Sequence, residues 1–171
     1  MTVLGIDPGY AIVGVGIVEY KNSRFSLINY GAITTDAGVE FNRRLEIIYD
    51  ELTAIIEKYK PAAMSVEKLF YNSNAKTVID VSQARGVIML AAQKMHTPVY
   101  EYTPLQVKQS VVGYGRAEKK QVQDMTKRIL GLSEIPKPDD AADALAMAIC
   151  HAHSGSSMLD PVKNLKIRKG I

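Results

Sequence analysis

Two short links near the N-terminus constrain the fold more than any other feature of the chain. The apolar run Val3-Leu4-Gly5-Ile6 ends at Asp7 and meets Pro8-Gly9 at once. A second run over 11–20, rich in Val, Ile and Gly, ends at Lys21-Asn22-Ser23. Links this short join neighbouring strands only as antiparallel hairpins, because a parallel return needs a crossover of about a dozen residues or more. The third segment, 24–35, alternates Phe25, Leu27, Tyr30 and Ile33 with polar residues, with a slip near Asn29. That period of two marks a strand buried on one face.

Helices then alternate with short strands. Leu45, Ile48, Leu52, Ile55, Ile56 and Tyr59 recur at steps of three and four, so 41–59 is expected to be a helix lying on a sheet, stopped by Pro61. A strand is expected over 62–67. A helix over 73–95 follows, with Val78, Val81, Ala84, Ile88, Ala91 and Ala92 on one side, and then a strand over 99–102. Thr103 caps a helix that has Pro104 at its first position and runs to about Val111. Further helices are expected over 117–130 and from a cap at Asp139 or Asp140 to about His153. Hairpins followed by helix–strand–helix–strand give an α/β fold, a mixed five-stranded sheet with helices on both faces.

In such sheets chemistry collects at strand ends. Asp7 and Glu67 close two of the expected strands, and Asp140 and Asp143 open the last helix on one face. The other face of that helix, with Ala141, Ala142, Leu145, Ala148 and Ile149, is small enough to lie close on the sheet and carry both acids to the strand ends. No Lys or Arg adjoins Asp7, Asp140 or Asp143 in sequence, and Lys68 or Lys119 could pair with Glu67. Each pair of carboxylates at ~4 Å costs about 4 kcal/mol at an effective dielectric of 20, so such a cluster calls for a counter-ion. Oxygen-only ligands select Mg²⁺ or Mn²⁺, and a two-ion site would suit phosphoryl displacement. His151 and His153 share no helix face and His151 lies far along the helix from Asp140, so neither is expected to act. Singly, each acid also fits a turn, a cap or a helix-dipole role.

Charge distribution points to a polyanionic partner. Lys108, Arg116, Lys119, Lys120, Lys127 and Arg128 face only Glu118 and Asp124 within 105–128, and the segment from Ser154 carries Lys163, Lys166, Arg168 and Lys169 against Asp160. At 171 residues and 47% hydrophobic content, one domain is expected. A single cysteine, no apolar run of membrane-spanning length and no basic-then-apolar leader suit a reducing cytoplasm. These features leave open a nucleotide phosphotransferase and a non-catalytic nucleic-acid binder.

Six blocks narrow the choice. Gly5-Ile6-Asp7-Pro8-Gly9, Val66-Glu67-Lys68-Leu69-Phe70, Ser82-Gln83-Ala84-Arg85-Gly86-Val87, 106–113, Ala117-Glu118-Lys119 and 140–146 closely resemble, in order, the RuvC family of crossover junction endodeoxyribonucleases. The resemblance spans residues ~2 to ~153. It implies a ribonuclease H-like nuclease domain over 1–153, with 154–171 left as a basic, flexible tail. It also implies a homodimer that resolves four-way (Holliday) DNA junctions by metal-dependent hydrolysis in recombination and repair, with the RuvA–RuvB branch-migration complex as partner. The family's acidic tetrad falls on Asp7, Glu67, Asp140 and Asp143, as catalytic residues and ligands of Mg²⁺, two per site, with Mn²⁺ as a substitute. Asp139 makes the third position ambiguous, and the Asp-Ala-Ala-Asp spacing selects Asp140. Phe70, with Tyr71 beside it, is expected to wedge into the crossover. Lys108 and Lys119 match basic positions near the DNA, and Arg116 and Lys120 are further DNA contacts on charge. The 73–95 helix, with Gly86 and exposed Met89 or Met95, is the expected dimer face.

Overall fold

The computed structural model describes residues 1–68 and 78–155. Five strands, β1 (Thr2–Asp7), β2 (Ile12–Lys21), β3 (Arg24–Thr34), β4 (Ala63–Glu67) and β5 (Val99–Tyr102), form one sheet in the order β3-β2-β1-β4-β5. β1, β2 and β3 pair antiparallel, whereas β4 runs parallel to both β1 and β5. This is the mixed sheet that the short links require. The slip near Asn29 is a register shift in which Ile17 pairs with Asn29 and Val18 with Leu27.

Strand alternation sorts the side chains into two cores. Leu4, Ile6, Val13, Val15, Ile17, Met64 and Val66 point to one face, against Ile48, Leu52 and Ile56 of α1 (Phe41–Tyr59) and Ala84, Ile88, Ala91 and Ala92 of α2 (Val78–Lys94). On the other face, Val3 and Val18 meet α3 (Pro104–Val112), α4 (Lys119–Ile129) and α5 (Asp139–Gly155). The central α5 buries eleven positions, Ala141, Ala142 and every residue from Ala144 to Ala152, interrupted only at Asp143.

Three glycines let α5 sit directly on the strands. A Cβ on Gly16 would come 2.6 Å from the Leu145 amide nitrogen, and one on Gly5 or Gly14 would run into the carbonyl oxygen of Ala144 or Asp140. Side chains at these positions would lift α5 off the sheet. Ser65 adds a tether, its hydroxyl donating to the Met147 carbonyl at 2.7 Å.

Several boundaries differ from the sequence expectation for local reasons. α4 starts at Lys119, not 117, because Glu118 takes the cap position and its amide donates to Gln121 Oε1 at 2.8 Å. Asp139 and Asp140 lie inside the first turn of α5 rather than capping it, since the Ala141 amide already bonds the Pro138 carbonyl at 3.0 Å. α5 continues to Gly155. The part of the expected 73–95 helix before Val78, and the tail after Gly155, lie outside the described residues. Met89 and Met95 are half-buried, Met95 against the core; the exposed apolar side chains of α2 are Ile79 and Leu90. Gly86 is exposed, with open space where a Cβ would be. Arg44, unremarked in the helical stripe, is buried: its Nε donates to the Thr35 hydroxyl at 2.8 Å and its guanidinium covers the Tyr10 ring.

Gly5→Ala is therefore expected to destabilise the protein by about 3 kcal/mol through overpacking, whereas Gly38→Ala, with nothing near its Cβ position, should stay within about 0.5 kcal/mol of the parent. Urea denaturation of the two variants measures the difference.

Candidate active site

Backbone periodicity aims the first two acids. Gly5 and Asp7 occupy the same face of β1, and the Cβ direction at Gly5 points into α5, so Asp7 faces α5 as well. Ser65 and Glu67 repeat the arrangement on β4, where Ser65 bonds the α5 backbone. Ile6 pairs with Val66 across the parallel ladder, so Asp7 and Glu67 leave adjacent strands at the same end of the sheet. The opposite neighbour of Asp7 is Gly14, and the Asp140 carbonyl lies over Gly14. The start of α5 thus rests beside Asp7, and Asp143 follows one turn on.

Asp7 and Glu67 feel their acidic neighbours. Burial pushes the Asp7 carboxyl from the ordinary 3.8 up to about 7, and the charges of Asp143, Glu67 and Asp140 add to that rise. Glu67 is also raised, chiefly by burial and then by Asp143. Asp7, Glu67 and Asp143 line a cavity of about 190 Å³ whose walls include Lys108, Lys119, Val107, Val122 and Met147. Asp140, half-buried, stands outside that lining and acts on Asp7 through its charge. Asp139 is exposed and turned aside: Lys137 Nζ binds it at 2.7 Å and holds its carboxyl below the ordinary range.

The absence of basic residues near the acids in sequence does not carry over to space. Lys119, from the first turn of α4, sets its Nζ 2.6 Å from Asp143 Oδ2, and it is Asp143, not Glu67, that it pairs with. α4 and α5 both pack on this face, which no local pattern reveals. Lys108 lines the same cavity, while Arg116 and Lys120 are exposed outside its lining. Phe70 and Tyr71 lie outside the described residues. His151 is buried, shares a 2.8 Å hydrogen bond with the Tyr102 hydroxyl and stacks at 4.4 Å on Tyr100; burial lowers its pKa. His153 shares a 3.3 Å hydrogen bond with Ser110 and meets Phe25 edge-on. Both imidazoles serve the packing of α5.

A hard divalent cation suits this donor set by its chemistry. The converging groups are carboxylates without nitrogen or sulfur ligands, and burial together with their mutual repulsion raises Asp7. Among the described residues no three such side chains are yet drawn tightly enough to grip an ion, and one of them is held by Lys119. A larger cavity of about 370 Å³ between β3 and α1 contains one carboxylate, Glu51, and no such convergence.

The sign of the Asp7 shift gives a stability test. Between the ordinary pKa and about 7, the folded protein keeps a proton that the unfolded chain has released. Without divalent ions, stability should therefore fall as pH rises through that window, by roughly 4 kcal/mol at most from this one group. Asp7→Asn should flatten the slope, and denaturation of both proteins between about pH 4.5 and about pH 8 isolates the contribution as their difference.

The family model described as "Crossover junction endodeoxyribonuclease RuvC" matches residues 3–151. The protein of that name from Caldanaerobacter subterraneus is 61% identical over 158 residues, which are 92% of this chain and 96% of the relative. The solved structure of Thermus thermophilus RuvC is similar with a TM-score of 0.85 at 35% identity, covering 91% of this chain and 96% of that one. The same protein in complex with a Holliday junction substrate gives 0.86 at 35% identity, over 91% and 94% of the respective chains.

Proposed function

The chain belongs to the RuvC family of crossover junction endodeoxyribonucleases, and from that premise we propose that it resolves four-way (Holliday) DNA junctions by symmetric, Mg²⁺-dependent hydrolysis of phosphodiester bonds during recombination and DNA repair. Asp7, Glu67, Asp140 and Asp143 are the catalytic residues and would hold the ions, two Mg²⁺ per site with Mn²⁺ as a substitute. The observation that carries the proposal is the convergence of carboxylates: Asp7, Glu67 and Asp143, from three separate elements, line one cavity, where their negative charges repel. Scaffolding gives no reason to assemble that repulsion.

When bound, a divalent cation lowers the pKa of water and neutralises charge on a phosphate. The residues of this chain supply the rest. Asp7 ends the central strand β1, which pairs with β2 on one side and β4 on the other. Glu67 and Asp143 approach it from β4 and α5 within one cavity. Val107, Val122 and Met147 wall that cavity with apolar surface and limit the water that reaches it. Lys108, in the same lining, and Lys119 would meet the phosphates, with Arg116 and Lys120 further out along the basic segment. His151, engaged by Tyr102 and Tyr100, is not needed as a base.

A junction presents two strands for symmetric cutting, so two sites related by a dyad are required and the protein acts as a homodimer. The outward face of α2, with exposed Ile79, Gly86 and Leu90, is the proposed contact between copies. The RuvA–RuvB complex is the proposed partner and the cytoplasm the proposed location; no helix among the described residues is long and apolar enough to cross a membrane. The nuclease domain is assigned to 1–153 and the basic tail to 154–171.

Two experiments test the proposal. Asp7→Asn should bind a synthetic four-way junction within a few-fold of the parent yet cut it on the order of 1000-fold more slowly. Chelation of Mg²⁺ should silence the parent, and linear duplex should be a poor substrate for both. Equal cutting of junction and linear duplex, or full activity of Asp7→Asn, would remove the basis for the assignment. Phe70→Ala should keep junction binding but cut poorly if an aromatic wedge opens the crossover. A gel assay that separates bound from cleaved junction reads both quantities.

A further inference from the structure

Lys119 Nζ lies 2.6 Å from Asp143 Oδ2, close enough for a charge-assisted hydrogen bond in the middle of the carboxylate group. Its positive charge also reaches Asp7 and Glu67, where it opposes the rise that burial and the other acids produce. The compensation is partial: one ammonium, bonded to Asp143 alone, stands in a cavity lined by three carboxylates, Asp7, Glu67 and Asp143. A single ammonium satisfies one carboxylate well and its neighbours poorly. A divalent cation carries twice the charge and can be shared among several.

The anchoring of Lys119 is suited to letting go. Its backbone is fixed at the start of α4, beside buried Ala117 and the Glu118–Gln121 cap, whereas its side chain is 60% exposed. The ammonium can therefore leave Asp143 by rotating into water without disturbing the packing of α4 on α5. Asp143 is only 28% exposed and belongs to a helix locked onto the glycine floor, so it cannot follow.

We propose that Lys119 is a built-in counter-ion that competes with the divalent cation for Asp143, so that its departure is the step coupling cation entry to the release of a basic side chain toward the DNA phosphates. This rests on the carboxylate site proposed above. In the free protein the lysine keeps the acids together, and it lowers their affinity for the metal. With metal bound it becomes a free cation at the mouth of the cavity, where a polyanion arrives. A purely structural tether between α4 and α5 would behave differently, since removing it would weaken the fold without improving metal binding.

Mn²⁺ serves as the probe, titrated into the full-length, DNA-free protein and followed by the electron paramagnetic resonance of free Mn²⁺. Lys119→Met and Lys119→Gln should each bind Mn²⁺ about tenfold more tightly than the parent, because one positive charge has left the immediate surroundings of the ion. Lys119→Arg, which keeps the charge, should match the parent, and Asp7→Asn should lose the site. Unchanged or weaker binding by both neutral variants, with the site still lost in Asp7→Asn, would overturn the counter-ion role and leave the carboxylate site standing. Tighter binding by Lys119→Arg equal to that of Lys119→Met would overturn the charge origin. Parent-like binding by Asp7→Asn would instead remove the carboxylate site on which the inference rests. Thermal melts of the metal-free variants identify any that have not folded, and the two neutral substitutions keep the comparison available if one fails.

Discussion

Backbone-to-backbone contact between α5 and the floor of β1 and β2 is the constraint from which the rest of the site follows. Gly5, Gly14 and Gly16 present no side chain, and the Ala-rich face of α5 presents almost none, so the helix settles where a Cβ would have stood. The same absence of side chains that permits the approach also fixes it, because at such close range a small displacement of either partner loses dispersion contacts along the interface. Asp140 and Asp143 gain their positions from this seating and not from any interaction of their own. Asp7 and Glu67 gain theirs from β1 and β4, paired in parallel with matched ends. The acids are thus carried to one place by apolar and hydrogen-bonded structure that gains nothing from bringing them together.

That separation of causes explains the electrostatics. Folding free energy from two well-packed cores holds together groups that would disperse if left to their charges, and the Asp7 carboxyl is raised by its burial and by those neighbours. Asp139 shows the contrast. One residue from Asp140, it lies on the outside of the helix, finds Lys137, and is shifted in the opposite direction. Position relative to the glycine floor, more than position in sequence, decides which acids belong to the site.

Much of this was legible in the sequence because it rests on local rules. The two short links fixed the antiparallel start, the apolar runs ending at Asp7 and Glu67 marked two strands with acids at their ends, and the small face of 141–149 announced a close-lying helix. The alternation Gly5-x-Asp7 beside Ser65-x-Glu67 would even have shown that both acids face the helix that carries the other two. What could not be read was set by contacts between distant segments. Lys119 reaches Asp143 because α4 and α5 share a face of the sheet, Arg44 is buried because the turn after Asp7 folds over it, and the exposed apolar residues of α2 proved to be Ile79 and Leu90 because the methionines turn partly inward. None of these has a signature in spacing or composition.

The contrast between Lys119 and Arg44 shows how the fold treats its cations according to what each must do. Arg44 is buried, bonded to Thr35 and lying on the Tyr10 ring, and among the described residues it has no carboxylate partner within ion-pair distance. Its donors are spent on the backbone and hydroxyl of the segments flanking the Pro8-Gly9 turn: the Thr35 hydroxyl donates to the Tyr10 carbonyl at 2.6 Å, and the Thr35 amide donates to the Ala11 carbonyl at 2.9 Å. A guanidinium used in this way stiffens the chain immediately beyond Asp7 and is not exchangeable, since withdrawing it would leave buried acceptors unpaired. Lys119 has the opposite character: a point charge on a long exposed stem, bonded to one oxygen that water or another cation can take over. The rigid cation holds Tyr10 and Thr35 together just beyond the strand that ends at Asp7, and the mobile one stands over Asp143. A site that has to stay assembled while empty and open when filled needs both.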